Sequence, residues 1–191
     1  LASNAASGPV ADFDLSASQE KVLEEIRSMF PQKKPVLLFG VTGSGKTEIY
    51  IRLIKEKLAA GKQVLFLMPE IALTDFMVDR LRHFFGDSLL VYHSRFNAQE
   101  KVEIWNEVLE KSEPKLILGA RSALFMPFST LGLIIVDEEH DMSFKQQDPA
   151  PRYHARDCAV MLSHMTGADI LLGSATPSLE SWHNALSGAY L

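Results

Sequence analysis

Four apolar residues, Val36-Leu37-Leu38-Phe39, run straight into Gly40-Val41-Thr42-Gly43-Ser44-Gly45-Lys46-Thr47. The apolar run reads as a short buried strand. The eight residues after it satisfy the phosphate-loop pattern G-x-x-x-x-G-K-T/S at every fixed position. Each residue type answers a physical need. Glycines at 40, 43 and 45 let several backbone N–H groups turn into one concavity, which favours an anion at the start of the next helix. Lys46 supplies a point charge for the β and γ phosphates and reads as an exposed loop side chain with little packing. Thr47 offers a hydroxyl to the Mg²⁺ that travels with the nucleotide. The required helix follows from Glu48 to Leu58 and stops near Gly61. Strand, loop and helix in this order commit the segment to a nucleoside triphosphate site, with Thr42, Gly43, Ser44, Gly45, Lys46 and Thr47 as its cradle.

The rest of the chain fits around that unit. Its 191 residues, 47% hydrophobic and 23% charged, allow one domain with a sizeable core. No apolar run is long enough to cross a bilayer, so no membrane partner is expected. Residues 1–12 begin small and polar, lack the pattern of a signal peptide, and read as a linker or an expression remnant. The domain is therefore placed at 13–191. The single cysteine, Cys158, excludes an internal disulfide and a cysteine-rich zinc site, which suits the cytoplasm. A net charge of −5 means that any nucleic-acid contact must come from a local basic face.

Five further strands are expected, at 63–68, 89–92, 115–118, 131–136 and 169–172, with helices between most of them. Such alternation implies a parallel sheet covered on both faces, a three-layer αβα arrangement. Ligands of such sheets bind beyond the carboxyl ends of the strands. Those ends here are Pro69-Glu70-Ile71-Ala72-Leu73-Thr74, His93-Ser94, Gly119-Ala120-Arg121-Ser122, Asp137-Glu138-Glu139-His140 and Gly173-Ser174-Ala175-Thr176-Pro177. A helix running to about Phe30 starts at Ser16, with Gln19 at capping-box spacing. Gln19 thus reads either as a cap or as a contact to the nucleotide base.

Leu133-Ile134-Ile135-Val136-Asp137-Glu138 supplies the second half of the nucleotide site. Asp137, closing an apolar strand, can hold Mg²⁺ through water. Glu138 can orient and deprotonate the attacking water. With Lys46 these are the catalytic candidates. No N-K-x-D stretch and no L-S-G-G-Q stretch follows the phosphate loop, which argues against a small GTPase or a transporter-type ATPase.

The ordered set G-V-T-G-S-G-K-T, P-E-I-A-L-T, Y-H-S, G-A-R-S-A, D-E-E-H and G-S-A-T-P resembles the first RecA-like lobe of superfamily-two helicases. D-E-E-H followed by K-Q-Q and P-R-Y-H-A-R-D resembles one branch closely, the bacterial replication-restart helicases of the PriA type. The resemblance runs from about Leu15 to the end. It implies a RecA-like P-loop NTPase lobe with ATP and Mg²⁺ as ligands. It further implies an ATP-dependent 3′-to-5′ DNA helicase acting at stalled or forked DNA, in replication restart and primosome assembly. Partners by resemblance are single-stranded and forked DNA, primosome proteins and single-strand-binding protein. By the same resemblance Gln19 meets adenine, while Thr74, His93, Ser94, Arg121 and Ser122 lie along the DNA track. His140, Ser174 and Thr176 couple the two sites. The 169–172 strand should lie between the 36–39 and 132–136 strands. For Thr74, Ser94 and Ser122, ordinary loop and capping chemistry is the competing reading.

Phe144, Lys145, Gln146, Arg152, Tyr153 and Arg156 mix rings and cations in and just after one expected loop, from Asp141 to about Tyr153, as a single strand requires. Lys145, Arg152 and Tyr153 are the leading DNA contacts, with Tyr153 alternatively packed as core. The family's second lobe with its arginine finger, and its zinc element, do not appear in these residues. The segment is expected to belong to a longer protein and to be nearly inactive alone. Two rivals remain: a lobe of a double-strand DNA translocase or another superfamily-two helicase, and a nucleotide-binding docking module without catalysis. Intact Lys46, Thr47, Asp137 and Glu138 argue against the second.

Overall fold

The computed structural model describes residues 13–93, 96–110 and 113–191. The expected linker at 1–12 and the candidate Ser94 lie outside them. In chain order the elements are α1 (Ala17–Met29), β1 (Val36–Phe39), α2 (Lys46–Ala59), β2 (Gln63–Leu67), α3 (Asp75–Phe85) and β3 (Leu89–Tyr92). Then come α4 (Ala98–Leu109), β4 (Leu116–Gly119), β5 (Leu131–Asp137), β6 (Lys145–Gln146), β7 (Tyr153–His154), α5 (Ala155–Thr166), β8 (Asp169–Ser174) and α6 (Leu179–Leu186).

Six of the strands form one sheet in the order β1-β8-β5-β2-β4-β3, and every neighbouring pair is parallel. The expected insertion of β8 between β1 and β5 is observed: Val36 pairs with Leu171, and Ile135 pairs with Leu171 from the other side. The inner strands β2, β4, β5 and β8 are buried on both faces, the edge strands β1 and β3 less so, and the period-two alternation divides the core. Val64 and Phe66 of β2, Leu133 and Ile135 of β5 and Leu171 of β8 face α1, α2 and α3. Leu65, Leu67, Ile134, Val136, Ile170 and Leu172 face α4 and α5. Each such side chain contributes about 1.5–3 kcal/mol when fully buried. The result is a helix–sheet–helix sandwich of the RecA-like class.

Local signals set the helix starts. Ser16 accepts a hydrogen bond from the Gln19 N–H at 3.3 Å, and the Gln19 Oε1 accepts from the Ser16 N–H at 2.8 Å, a complete capping box on α1. Asn97 and Glu100 repeat the device on α4. Thr74 caps α3 by accepting from the Met77 N–H at 3.3 Å.

Two segments depart from the sequence reading. Residues 121–125 form a 3₁₀ helix directly after β4. The expected loop at 141–153 is instead a 3₁₀ turn, Met142–Phe144, leading into the β6–β7 hairpin. That hairpin has two paired positions per strand, too few for a periodic signal.

Candidate active site

Because the sheet is parallel, all six carboxyl ends open on one edge, and the strand order splits that edge in two. The ends of β1, β8 and β5 are adjacent and carry the phosphate loop, G-S-A-T-P and D-E-E-H. The ends of β2, β4 and β3 form the other half.

Gly43 and Gly45 adopt φ of 77° and 85°, backbone that side chains rarely tolerate. Gly45 has a second reason. A Cβ there would lie 2.0 Å from the Gln19 Nε2, which donates to the Gly45 carbonyl at 3.4 Å. Gln19 therefore caps α1 and stands against the phosphate loop at once, so the two readings of this residue are compatible. Lys46 departs from expectation. Its side chain is buried, only 9% exposed, and its Nζ donates to the Gly40 carbonyl at 2.7 Å. It is the first residue of α2 and packs beneath the loop that it serves. Around Gly43–Thr47 the surface forms a cleft of about 490 Å³ that also takes in Gln19, Arg80, Asp137 and Glu138. All the nucleotide candidates thus share one cavity.

Asp137 ends β5 and accepts a hydrogen bond from the Tyr50 hydroxyl at 2.9 Å. Burial pushes the Asp137 carboxyl above its ordinary range; the Tyr50 bond and the nearby Lys46 act against that rise, and Glu138 adds to it. Burial, with the adjoining Asp137, also drives the Tyr50 hydroxyl well up, so it is a donor at neutral pH. Tyr50 is fully buried on α2, one turn beyond Lys46, and the sequence reading missed it. Its contact depends on Gly173: a Cβ at 173 would lie 1.8 Å from the Tyr50 oxygen. Glu138 holds a left-handed backbone, φ 50°, without being glycine. Such a conformation costs about 1–3 kcal/mol and is kept where the surroundings impose it. The next N–H, of Glu139, donates to the Gly173 carbonyl at 3.1 Å and so ties this turn to β8.

Among the described residues no three His, Cys, Asp or Glu side chains gather into a metal-binding group. The donor set nevertheless suits a cation that takes most of its oxygens from phosphate and water, as Mg²⁺ does, with Thr47 and Asp137 as the protein's share.

The three coupling candidates are brought together. The His140 Nδ1 lies 2.8 Å from the Ser174 Oγ and its Nε2 lies 3.2 Å from the Thr176 Oγ1. The Thr176 N–H donates to the Ser174 Oγ at 3.0 Å. His140 Nδ1 also approaches the Glu138 carboxylate at 3.6 Å.

Directly below lies a second cluster that the sequence did not disclose. Glu139 is completely buried and accepts from the Ser178 N–H at 2.7 Å, the Ser181 hydroxyl at 2.8 Å, the Arg156 Nη1 at 3.0 Å and the Ser178 hydroxyl at 3.1 Å. Burial works to raise the Glu139 pKa, but these donors outweigh it and hold the carboxyl below its usual range.

On the other half of the edge the candidates are more dispersed. Thr74 is occupied as the α3 cap. His93 follows β3 directly and meets Phe96 edge to face. Ser122 lies in the 3₁₀ helix, and the Arg121 Nη1 donates to the Ser143 and Lys145 carbonyls at 3.0 and 3.4 Å, clamping the base of the hairpin. Lys145, Arg152 and Tyr153 do meet, around a concavity of about 630 Å³ on the hairpin. Tyr153 is half-buried and stacks edge to face with the exposed Phe125, ring centroids 5.1 Å apart. Two of the five ring and cation candidates, Phe144 and Arg156, are corrected. Phe144 is fully enclosed in the second core, and Arg156 is buried on Glu139. Both side chains are enclosed in the fold and neither is open to a ligand at the surface.

The family model described as DEAD/DEAH box helicase matches residues 16–185. The replication restart protein PriA of Chlamydia pneumoniae is 48% identical over 96% of this chain and 25% of its own length. Its counterpart from Bacillus subtilis is 46% identical over 92% of this chain and 22% of its own. That from Haemophilus influenzae is 50% identical over 81% and 21%. The chain therefore spans about a quarter of the length of the curated relatives that it matches. Among solved structures, RecG bound to a three-way DNA junction superposes with a TM-score of 0.62 over 94% of this chain and 23% of that one, at 24% identity. That likeness speaks to the fold.

Proposed function

The chain belongs to the DEAD/DEAH box helicase family, and from that premise we propose that it is the ATP-binding motor lobe of a 3′-to-5′ DNA helicase. The whole protein would act at stalled or forked DNA in replication restart and primosome assembly. The observation that carries this reading is the β1-β8-β5 order, which sets the phosphate loop, D-E-E-H and G-S-A-T-P side by side. Residues 13–191 form the lobe in this reading, with 1–12 as a linker.

In this reading Lys46 and the N–H groups of residues 43–47 hold the triphosphate, and Gln19 meets the base. Thr47 and Asp137 hold the metal, Asp137 through water. Mg²⁺ held by them would supply positive charge that offsets the charge of the triphosphate. Glu138 orients the attacking water and takes its proton. His140, touching both Ser174 and Thr176, passes the state of the nucleotide side to the DNA side. DNA would run along Thr74, His93, Ser94, Arg121 and Ser122, with Lys145, Arg152 and Tyr153 of the hairpin beside it. Single-strand-binding protein and primosome proteins would be partners in the cytoplasm. Zinc would belong to other parts of such a protein.

ATP hydrolysis and strand displacement by the full-length protein test the proposal. DNA-stimulated hydrolysis with unwinding of a forked duplex, both lost in Lys46→Ala, is the expected result. Movement on duplex DNA without strand separation would favour the translocase reading. Hydrolysis insensitive to Lys46→Ala would overturn the site assignment.

A further inference from the structure

Glu138 lines the nucleotide cleft with 33% of its side chain exposed, yet its backbone holds the left-handed φ of 50°. Backbone of that kind persists where its neighbours over-determine it. On one side the sheet register does so, because Asp137 pairs with Gly173 near the end of β8. On the other side the hold is Glu139. Its N–H donates to the Gly173 carbonyl at 3.1 Å, and its side chain ends among residues of α5 and α6.

Both carboxylate oxygens of Glu139 are taken. Oε1 accepts from the Ser178 N–H, and Oε2 accepts from the Arg156 Nη1, the Ser178 hydroxyl and the Ser181 hydroxyl. The donors are fixed in turn. The Arg156 Nε donates to Asp157 at 2.8 Å and its Nη1 to the Ser178 Oγ at 2.6 Å, while the Ser181 N–H donates to the same Oγ at 3.2 Å. With donors on both oxygens, the carboxylate cannot turn without breaking bonds that are strong because a partner is charged. Replacing a buried ion pair by apolar residues of similar volume is often neutral for stability, so stability alone does not call for this cluster. What the cluster supplies beyond filling space is a fixed position for the residue next to Glu138. The nucleotide cleft is lined from α1, the phosphate loop, α2, α3, Asp137 and Glu138, so the cluster acts from outside it.

We propose that Glu139, clamped by Arg156, Ser178 and Ser181, is a positioning residue for Glu138: the cluster sets the turn that aims the Glu138 carboxylate at the attacking water. Two helices thereby fix the geometry of hydrolysis without touching substrate. The proposal rests on the role given to Glu138 above, and the test separates the two.

The measurement is ATP hydrolysis by the full-length protein with single-stranded DNA present, and Ser181→Ala is the first variant. It removes one of the four bonds and leaves Glu139 paired. Its kcat should fall about tenfold, within what a small misplacement of a reacting group costs, while KM for ATP stays within about twofold. Arg156→Lys, which keeps the charge and loses the planar fork, should do the same and serves if the first variant folds poorly. The deciding comparison is made in a Glu138→Ala background under single-turnover conditions, where slow residual hydrolysis is still read. A residue that acts through the Glu138 carboxylate has nothing left to position there, so adding Ser181→Ala should change the residual rate by less than about twofold. A fall of about tenfold in that background as well would make the cluster a general structural support and overturn the proposal. Unchanged kcat in both Ser181→Ala and Arg156→Lys, or a KM that rises in step with the loss, would overturn it too. Hydrolysis at the wild-type rate by Glu138→Ala alone would instead remove the role given to Glu138.

Discussion

Glu139→Ala should be among the most damaging single substitutions in this chain, although Glu139 touches no proposed ligand. The side chain is fully buried and accepts four hydrogen bonds, from Arg156, Ser181 and two donors of Ser178. Removing the carboxylate leaves the Arg156 guanidinium, itself 7% exposed, with Asp157 as its remaining charged partner. Breaking a buried pair from one side costs about 3–5 kcal/mol. A domain of this size has about 5–15 kcal/mol in total, so the loss is a large fraction. At roughly 2–4 °C per kcal/mol, the melting midpoint should fall by about 6–20 °C. Glu139→Gln keeps the volume but turns an amide NH₂ toward donors, which costs about 1–3 kcal/mol. The pH dependence has a definite sign. Because the folded-state pKa of Glu139 is lowered, its stabilisation is complete above the unfolded value of about 4.3 and is lost as pH falls through the lower folded value. The gap between wild type and Glu139→Gln should therefore be full at pH 7 and shrink below about pH 4. Urea unfolding of the three proteins across that range measures it. A Glu139→Ala variant within about 0.5 kcal/mol of wild type at pH 7 would refute the reasoning, since that is the level of a neutral surface change. So would a gap that widens toward acid.

Lys46→Ala should weaken ATP binding by about 1.5–3 kcal/mol, the worth of a hydrogen bond to a charged group, and an unchanged affinity by calorimetry would remove its assigned role. Tyr50→Phe should destabilise the fold by about 1–3 kcal/mol by leaving the half-buried Asp137 one donor short. Gly173→Ala should cost more, because its Cβ would occupy the Tyr50 hydroxyl position; urea unfolding of both variants checks the order. Replacing Lys145 and Arg152 together should flatten the slope of log affinity for single-stranded DNA against log salt by up to about two units. Identical slopes in the full-length protein and the variant would show that the hairpin does not touch phosphate.

What the sequence disclosed and what it withheld differ in kind. Apolar runs and turn residues located the six sheet strands, because burial on both faces leaves an unbroken hydrophobic signature. The Ser16–Gln19 box and the phosphate loop were legible because their partners are a few residues apart. Tyr50, by contrast, read as one more apolar position of α2; its hydroxyl partner lies on β5 and its space is made by Gly173 on β8. Arg156 read as part of a basic loop because its carboxylate, Glu139, is found only once the hairpin returns α5 to the sheet. Lys46 looked exposed because a loop motif says nothing of the packing under it. Spacing reports faces and short-range pairs; contacts across the fold need the topology.

The strand order also bears on when the molecule acquires its site. Among the described residues β1 has a single neighbour in the main sheet, β8, so that Val36 waits for Leu171. The β2, β4 and β3 strands can associate while the chain is still much shorter. Closing so long a loop is entropically expensive and slow. During synthesis the phosphate loop would thus emerge early, yet sit beside G-S-A-T-P only after nearly the whole lobe has left the ribosome.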